Sequence, residues 1–84
     1  MEITDIRIKK VEGDANKLQA YASITFDDNF VIHNIKIIDG REGLFIAMPS
    51  RKTRSGDLKD VAHPINSEFR DRMQNAILEA YHAE

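Results

Sequence analysis

The sequence predicts an α+β fold: an antiparallel sheet of four to five strands followed by one C-terminal helix, paired as a homodimer. Three observations carry this expectation. Residues 17–26 alternate strictly between apolar and polar side chains, the period of a half-buried strand. Two later stretches, 30–38 and 44–48, are apolar on both faces and bounded by turn residues. After Pro64 the chain contains no glycine or proline and repeats its apolar residues at helical spacing.

The elements follow in order. Residues 2–11 alternate loosely, with Ile6 and Ile8 on one side and Arg7 and Lys9 on the other. A turn is expected over Glu12-Gly13-Asp14-Ala15-Asn16. In the second strand Leu18, Ala20, Ala22, Ile24 and Phe26 oppose Gln19, Tyr21, Ser23 and Thr25. Asp27-Asp28-Asn29 reads as a three-residue hairpin loop, with Asn29 suited to the left-handed backbone of a bulged turn. The third strand places Phe30, Ile32 and Ile38 against Val31, Ile35 and Ile37. Asp39 to Gly43 turns the chain into Leu44–Met48, which Pro49 ends because proline cannot donate to a ladder. Residues 50–60 read as a polar loop, and Val61-Ala62-His63 as a short fifth strand stopped by Pro64. In the tail, Asn66 or Ser67 caps a helix and Glu68 suits its positive end. Phe69, Met73, Ala76, Ile77 and Ala80 form its apolar stripe, and Ala20 and Ala22 allow it to approach the sheet closely.

One helix covers one face of a sheet. Strands apolar on both faces, with Leu78 and Tyr81 off the main helical stripe, point to a second copy of the chain over the other face. Size argues the same way. A single 84-residue domain buries only about 60% of its unfolded surface, and small domains of this kind lean on disulfides, metals or partners. There is no cysteine, so disulfides, thiolate metal sites and thiol catalysis are excluded. The longest apolar run, Leu44 to Met48, falls far short of the roughly 20 residues that cross a membrane. The acidic, alternating start does not resemble a signal peptide, so a cytoplasmic location without membrane attachment is expected.

The net charge is −2, so contact with a polyanion needs a local patch. The segment 50–60 offers one: Arg51, Lys52, Arg54 and Lys59 against Asp57 and Asp60, a local excess of +2 in an acidic chain. Ser50, Thr53 and Ser55 add hydroxyls, and arginine forks with hydroxyls suit phosphate oxygens. A solvated hairpin loop has the same composition. Arg70 and Arg72 flank the helical stripe, where they could reach phosphates or cover the rim of the core. Arg7, Lys9 and Lys10 read as charges protecting an edge strand. The histidines at 33, 63 and 82 are scattered, so no metal site or cofactor is expected. No local signature arranges nucleophile, base and orienting group, so neither an enzyme nor a small-molecule substrate is expected. Phe30, Phe45, Tyr21 and Tyr81 are the aromatics available for base stacking; most read as buried, leaving no evident platform for single strands.

Three blocks in order resemble the SpoVG family: Phe30-Val31-Ile32-His33-Asn34 with Ile38-Asp39-Gly40; Gly43 through Met48-Pro49-Ser50-Arg51-Lys52-Thr53; and Asp60-Val61-Ala62-His63-Pro64-Ile65-Asn66-Ser67. The resemblance covers almost the whole chain. It implies a small bacterial dimer with an antiparallel sheet and a C-terminal helix, linked to septation and sporulation and binding DNA or RNA to regulate gene expression. It implies a nucleic-acid site at Ser50, Arg51, Lys52, Thr53 and Arg54, with Arg70 and Arg72 of the helix, and the charge of the 50–60 segment adds Lys59 to the candidates. Many members carry proline where this chain has Arg54, which adds a charge here. The alternative expectation is a protein-interaction module acting directly in septation.

Overall fold

The computed structural model describes residues 1–11 and 17–83; the turn expected at 12–16 lies outside them. Four strands form one antiparallel meander in the order β1 (Ile3–Lys10), β2 (Leu18–Phe26), β3 (Phe30–Gly40), β4 (Gly43–Ala47). A second, two-stranded sheet pairs β5 (Ser50–Lys52) with β6 (Leu58–Asp60), and α1 (Ser67–Ala83) closes the chain. The expected α+β architecture is therefore present, with one redistribution. The segment read as a loop contains a strand pair, whereas Val61–His63 is not a strand. Val61 donates the last bond of that pair, to the Pro49 carbonyl at 2.7 Å. Beyond it Pro64 restricts His63 and removes a donor.

The core lies between the main sheet and the helix. Ala20, Ala22, Ile24 and Phe26 of β2, Ile35 and Ile37 of β3, Ile46 of β4 and Met48 are buried against Met73 and Ile77 of α1. Both alanines are buried in this core, and the Phe26 and Phe69 rings meet at 5.7 Å. Leu78 and Tyr81, which suggested a further contact, instead pack on the rim of this same core. Asn66 is the cap: its Oδ1 accepts the Phe69 amide at 2.7 Å. Gln74 fastens the helix to the edge of the sheet, its Oε1 accepting the Ile46 amide at 3.1 Å.

The third strand corrects the reading of two apolar faces. Ala22 pairs with Ile35 and Ile24 with Ile32, so His33 and Asn34 together oppose Ser23. This is a β-bulge, with Asn34 at φ 64°. It shifts the phase of the strand by one residue, turning Ile32, Ile35 and Ile37 to the same inner face. The outer face of β3 then carries Val31, His33, Lys36 and Ile38, a mixed row instead of a continuous apolar stripe. Replacement of Asn34 with alanine should cost up to about 1–2 kcal/mol, because alanine lacks the short polar side chain that lets asparagine tolerate left-handed backbone, whereas Asn34→Gly should be nearly neutral. Urea unfolding midpoints check this; equal loss in both variants would mean that the Asn34 side chain, and not its backbone angle, matters.

The β2–β3 turn also differs in detail. Asp27 and Asp28, not Asn29, hold the left-handed angles, at φ 52° and 55°. Contacts to the start of the chain stabilise them. Asp27 Oδ1 accepts the Glu2 amide at 2.8 Å, and the Asp28 amide donates to Thr4 Oγ1 at 3.0 Å.

Candidate nucleic-acid interface

Pro49 releases the chain from the main sheet, and residues 50–60 fold back on themselves. Thr53 donates its amide to the Asp57 carbonyl at 2.8 Å, and Gly56, at φ 91°, donates to the Thr53 carbonyl at 3.0 Å. Side chains brace the same turn. Thr53 Oγ1 and Ser55 Oγ lie 3.0 Å apart, and the Ser55 hydroxyl donates to Asp57 Oδ2 at 3.2 Å. Two of the expected phosphate-binding hydroxyls are thus held within the turn, and Asp57 is drawn toward them and away from the cations.

Ladder register divides the candidate residues between two faces. Arg51 stands directly opposite Lys59, while Ser50 faces Asp60 and Lys52 faces Leu58. Directly opposed side chains share a face with Cβ atoms about 4.5–5.5 Å apart, and like charges there are unfavourable. The hairpin therefore concentrates two cations on one side, with Lys52 on the other and Arg54 at the turn. All six residues of the two strands are exposed.

The helix arginines are placed differently. Arg70 and Arg72 are both exposed in the first turns of α1. The Arg72 guanidinium lies over the Phe69 ring at 5.3 Å, and Nη2 reaches the Met1 carbonyl at 3.4 Å. These contacts hold it toward the start of β1.

Two groups of residues were underweighted in the sequence. The first is aromatic and aliphatic. Phe30 is 58% exposed, Phe45 42% and Tyr21 36%, and on the hairpin and the segment after it Leu58, Val61 and Ile65 are 70%, 64% and 91% exposed. The expectation that most of the aromatics are buried fails for these three: Phe30 stands at the start of β3 beside the turn, and Tyr21 and Phe45 lie on the face opposite the buried Ala20, Ala22 and Ile46. β4 pairs only with residues 36–40 of β3, leaving 30–35 without a β4 neighbour. A groove of about 510 Å³ runs there between Phe30, Val31 and His33 on one wall and Pro49, Val61 and Ala62 on the other.

The second group lies on the face of the sheet opposite the helix. Lys9 pairs with Tyr21 and Tyr21 with Lys36, so one row across three strands places an exposed tyrosine between two lysines. In the adjacent row Arg7 pairs with Ser23, and Ser23 Oγ lies 2.9 Å from His33 Nδ1. Alternation already placed Tyr21 on the polar side of β2; only the phase of β3 was needed to put Lys36 beside it.

Among the described residues no cluster of three or more His, Cys, Asp or Glu could hold a metal ion, and no helix is long and apolar enough to cross a membrane. The sequence matches the SpoVG family model over residues 1–83. It is 60% identical over its full length to a protein of Agathobacter rectalis, of which it covers 95%. It is 58% identical to relatives from Thermoanaerobacter pseudethanolicus and Clostridium beijerinckii, over 96% of this chain and 87% and 88% of theirs. All three carry the name "Putative septation protein SpoVG". The three sequence blocks, the meander with its C-terminal helix, and these identities agree: the chain belongs to the SpoVG family.

Proposed function

We propose that this protein is a dimeric nucleic-acid-binding regulator whose activity bears on septation and, in spore-forming hosts, on sporulation. The septation link rests on the names of its relatives. The observation that carries the binding reading is the juxtaposition of Arg51 and Lys59 on one exposed face of the β5–β6 hairpin. Opposed like charges weaken the hairpin on their own, and a phosphate between them reverses the sign of that interaction. Lys52 and Arg54 extend the positive surface around the turn, and Ser50 supplies a hydroxyl at its base. Thr53 acts mainly by shaping the turn, and Arg70 and Arg72 contribute from the helix.

Dimerisation is part of the same reading. Three-residue strand pairs are marginal by themselves in water, and this one carries exposed Leu58 and is followed by exposed Val61 and Ile65. A second copy seated on the β3 edge and its groove covers those side chains and pairs an unprotected strand edge. It also doubles the basic surface.

Fluorescence anisotropy of labelled duplex DNA, single-stranded DNA and RNA at several salt concentrations tests the proposal. With about four to six phosphate contacts per dimer, the slope of log affinity against log salt on duplex DNA should be about −3.6 to −5.4. The double variant Arg51→Ala with Lys52→Ala should flatten it by about 0.9 per lost contact while leaving the fold intact. An unchanged slope would move the site elsewhere. Absence of binding by a folded dimer at low salt, with protein partners that survive nuclease treatment, would favour a protein-interaction module in septation.

A further inference from the structure

From the open face of the main sheet we infer a second binding surface, for single-stranded nucleic acid, distinct from the hairpin; it rests on the nucleic-acid reading above and names the strand state that this face takes. The helix lies against the other face of the sheet, burying Ala20, Ala22 and Ile24, while Tyr21 between them points outward and is exposed. Its cross-strand neighbours are Lys9 and Lys36. Adjacent strands lie about 4.7–4.9 Å apart, so the two lysines bracket the phenol at a backbone separation of roughly 10 Å. An unpaired base stacked on the ring leaves its flanking phosphates to the ammonium groups on either side. A base within a duplex cannot reach the ring, because both its faces are occupied by neighbours.

The row beside Tyr21 supplies hydrogen bonding. Where β3 bulges, Ser23, His33 and Asn34 line a hollow of about 410 Å³ with Arg7, Lys9 and Tyr21. The serine–histidine pair, 2.9 Å apart, presents donors and acceptors to the edge of a base stacked on Tyr21. Among the described residues Asp5 is the carboxylate engaged here. It pairs with Arg7 at 3.1 Å, and both side chains are at least half exposed, a weakly held contact that a phosphate can replace. Cations flanking an aromatic on an open sheet, with a polar pair beside it, match the requirements of a stacking platform for single strands. An acidic protein segment would satisfy the lysines but would leave the ring and the polar pair without a role.

The test uses the full chain in a Tyr81→Phe background, which leaves Tyr21 as its one tyrosine, since the chain has two and no tryptophan. Oligo(dT), oligo(U) and a duplex of equal length are titrated while Tyr21 emission and anisotropy are read. The expected result is quenching by single strands but not by duplex. In addition, Tyr21→Ala should weaken single-strand binding roughly tenfold or more, with duplex binding changed less than twofold. Lys9→Gln with Lys36→Gln, which keeps the ring, should reduce the salt dependence of single-strand binding alone. Comparison of oligo(dT) with oligo(U) tells which sugar is preferred. If binding persists but Tyr21 is not quenched, or if Tyr21→Ala weakens all three probes equally, the platform is wrong while the hairpin reading stands. If no probe binds at low salt, both fall. Quenching and displacement by polyglutamate equal to that by oligo(dT) would assign the face to acidic protein segments and overturn the inference.

Discussion

Truncation of Ile77 to alanine is expected to lower stability by about 2–5 kcal/mol, the usual loss for a buried isoleucine. Ile77 is fully buried at the centre of the helix–sheet contact, among side chains from β2, β3 and β4. Alanine is the better helix former, so local propensity shifts slightly in favour of the variant, and the loss is one of packing. For 84 residues a stability of roughly 4–13 kcal/mol is typical, so this single cavity removes a large share of it. With a urea m-value near the low end of the range, about 1 kcal/mol/M, the midpoint should fall by about 2 M or more. Glu79→Ala, on the exposed side of the same helix, should change it by less than about 0.5 kcal/mol. Equal shifts in the two variants would mean that the helix does not dock as described.

The second large effect concerns the assembly. Wild-type protein at micromolar concentration is expected to scatter light with the mass of a dimer. Phe30→Asp combined with Val61→Asp should scatter as a monomer with unchanged far-ultraviolet circular dichroism. Both positions border the groove beside the uncovered part of β3. In an interface with two-fold symmetry every substitution occurs twice, so four carboxylates would enter the proposed dimer interface in place of apolar groups. Each buried unpaired charge costs several kcal/mol, enough to shift the dissociation constant by several decades. A wild-type monomer, or a variant that remains dimeric, would remove this interface. Loss of the dimer should also lower nucleic-acid affinity, because two hairpins no longer act on one strand.

The strand at 17–26 and the helix were legible because each buries one regular stripe, and a regular stripe appears in sequence as a period. What escaped has no period. The two strands of the hairpin are exposed on both sides, so their pairing leaves no hydrophobic signature; the turn bonds of Thr53, Ser55 and Asp57 define them instead. The bulge at His33–Asn34 was hidden for the opposite reason. Continuous apolar residues on either side of it read as two buried faces, when a phase shift sends Ile32, Ile35 and Ile37 to one. That misreading also concealed Tyr21 and Lys36, since a second face assigned to a partner copy leaves no room for a ligand. The basic block at 50–54 was legible as a charge cluster. Its division into an Arg51–Lys59 face and a Lys52 face depends on register, which composition does not encode.

The paired residues at His33 and Asn34 also determine where the chain tolerates a change in length. Deletion of one of them removes the bulge and leaves Ile32 and Ile35 two residues apart on one face, whereas loss or gain of one residue in a regular stretch of β3 turns everything beyond it to the other face. Insertion at the tip of the β5–β6 hairpin meets no such constraint, because each doubling of a loop adds only about 0.6 kcal/mol of closure entropy. Register is thus fixed by the core along the regular stretches of β3 and nearly free at the hairpin tip, which is the part that carries the positive charge. Variation in loop length can therefore reshape the basic surface without disturbing the sheet that supports it.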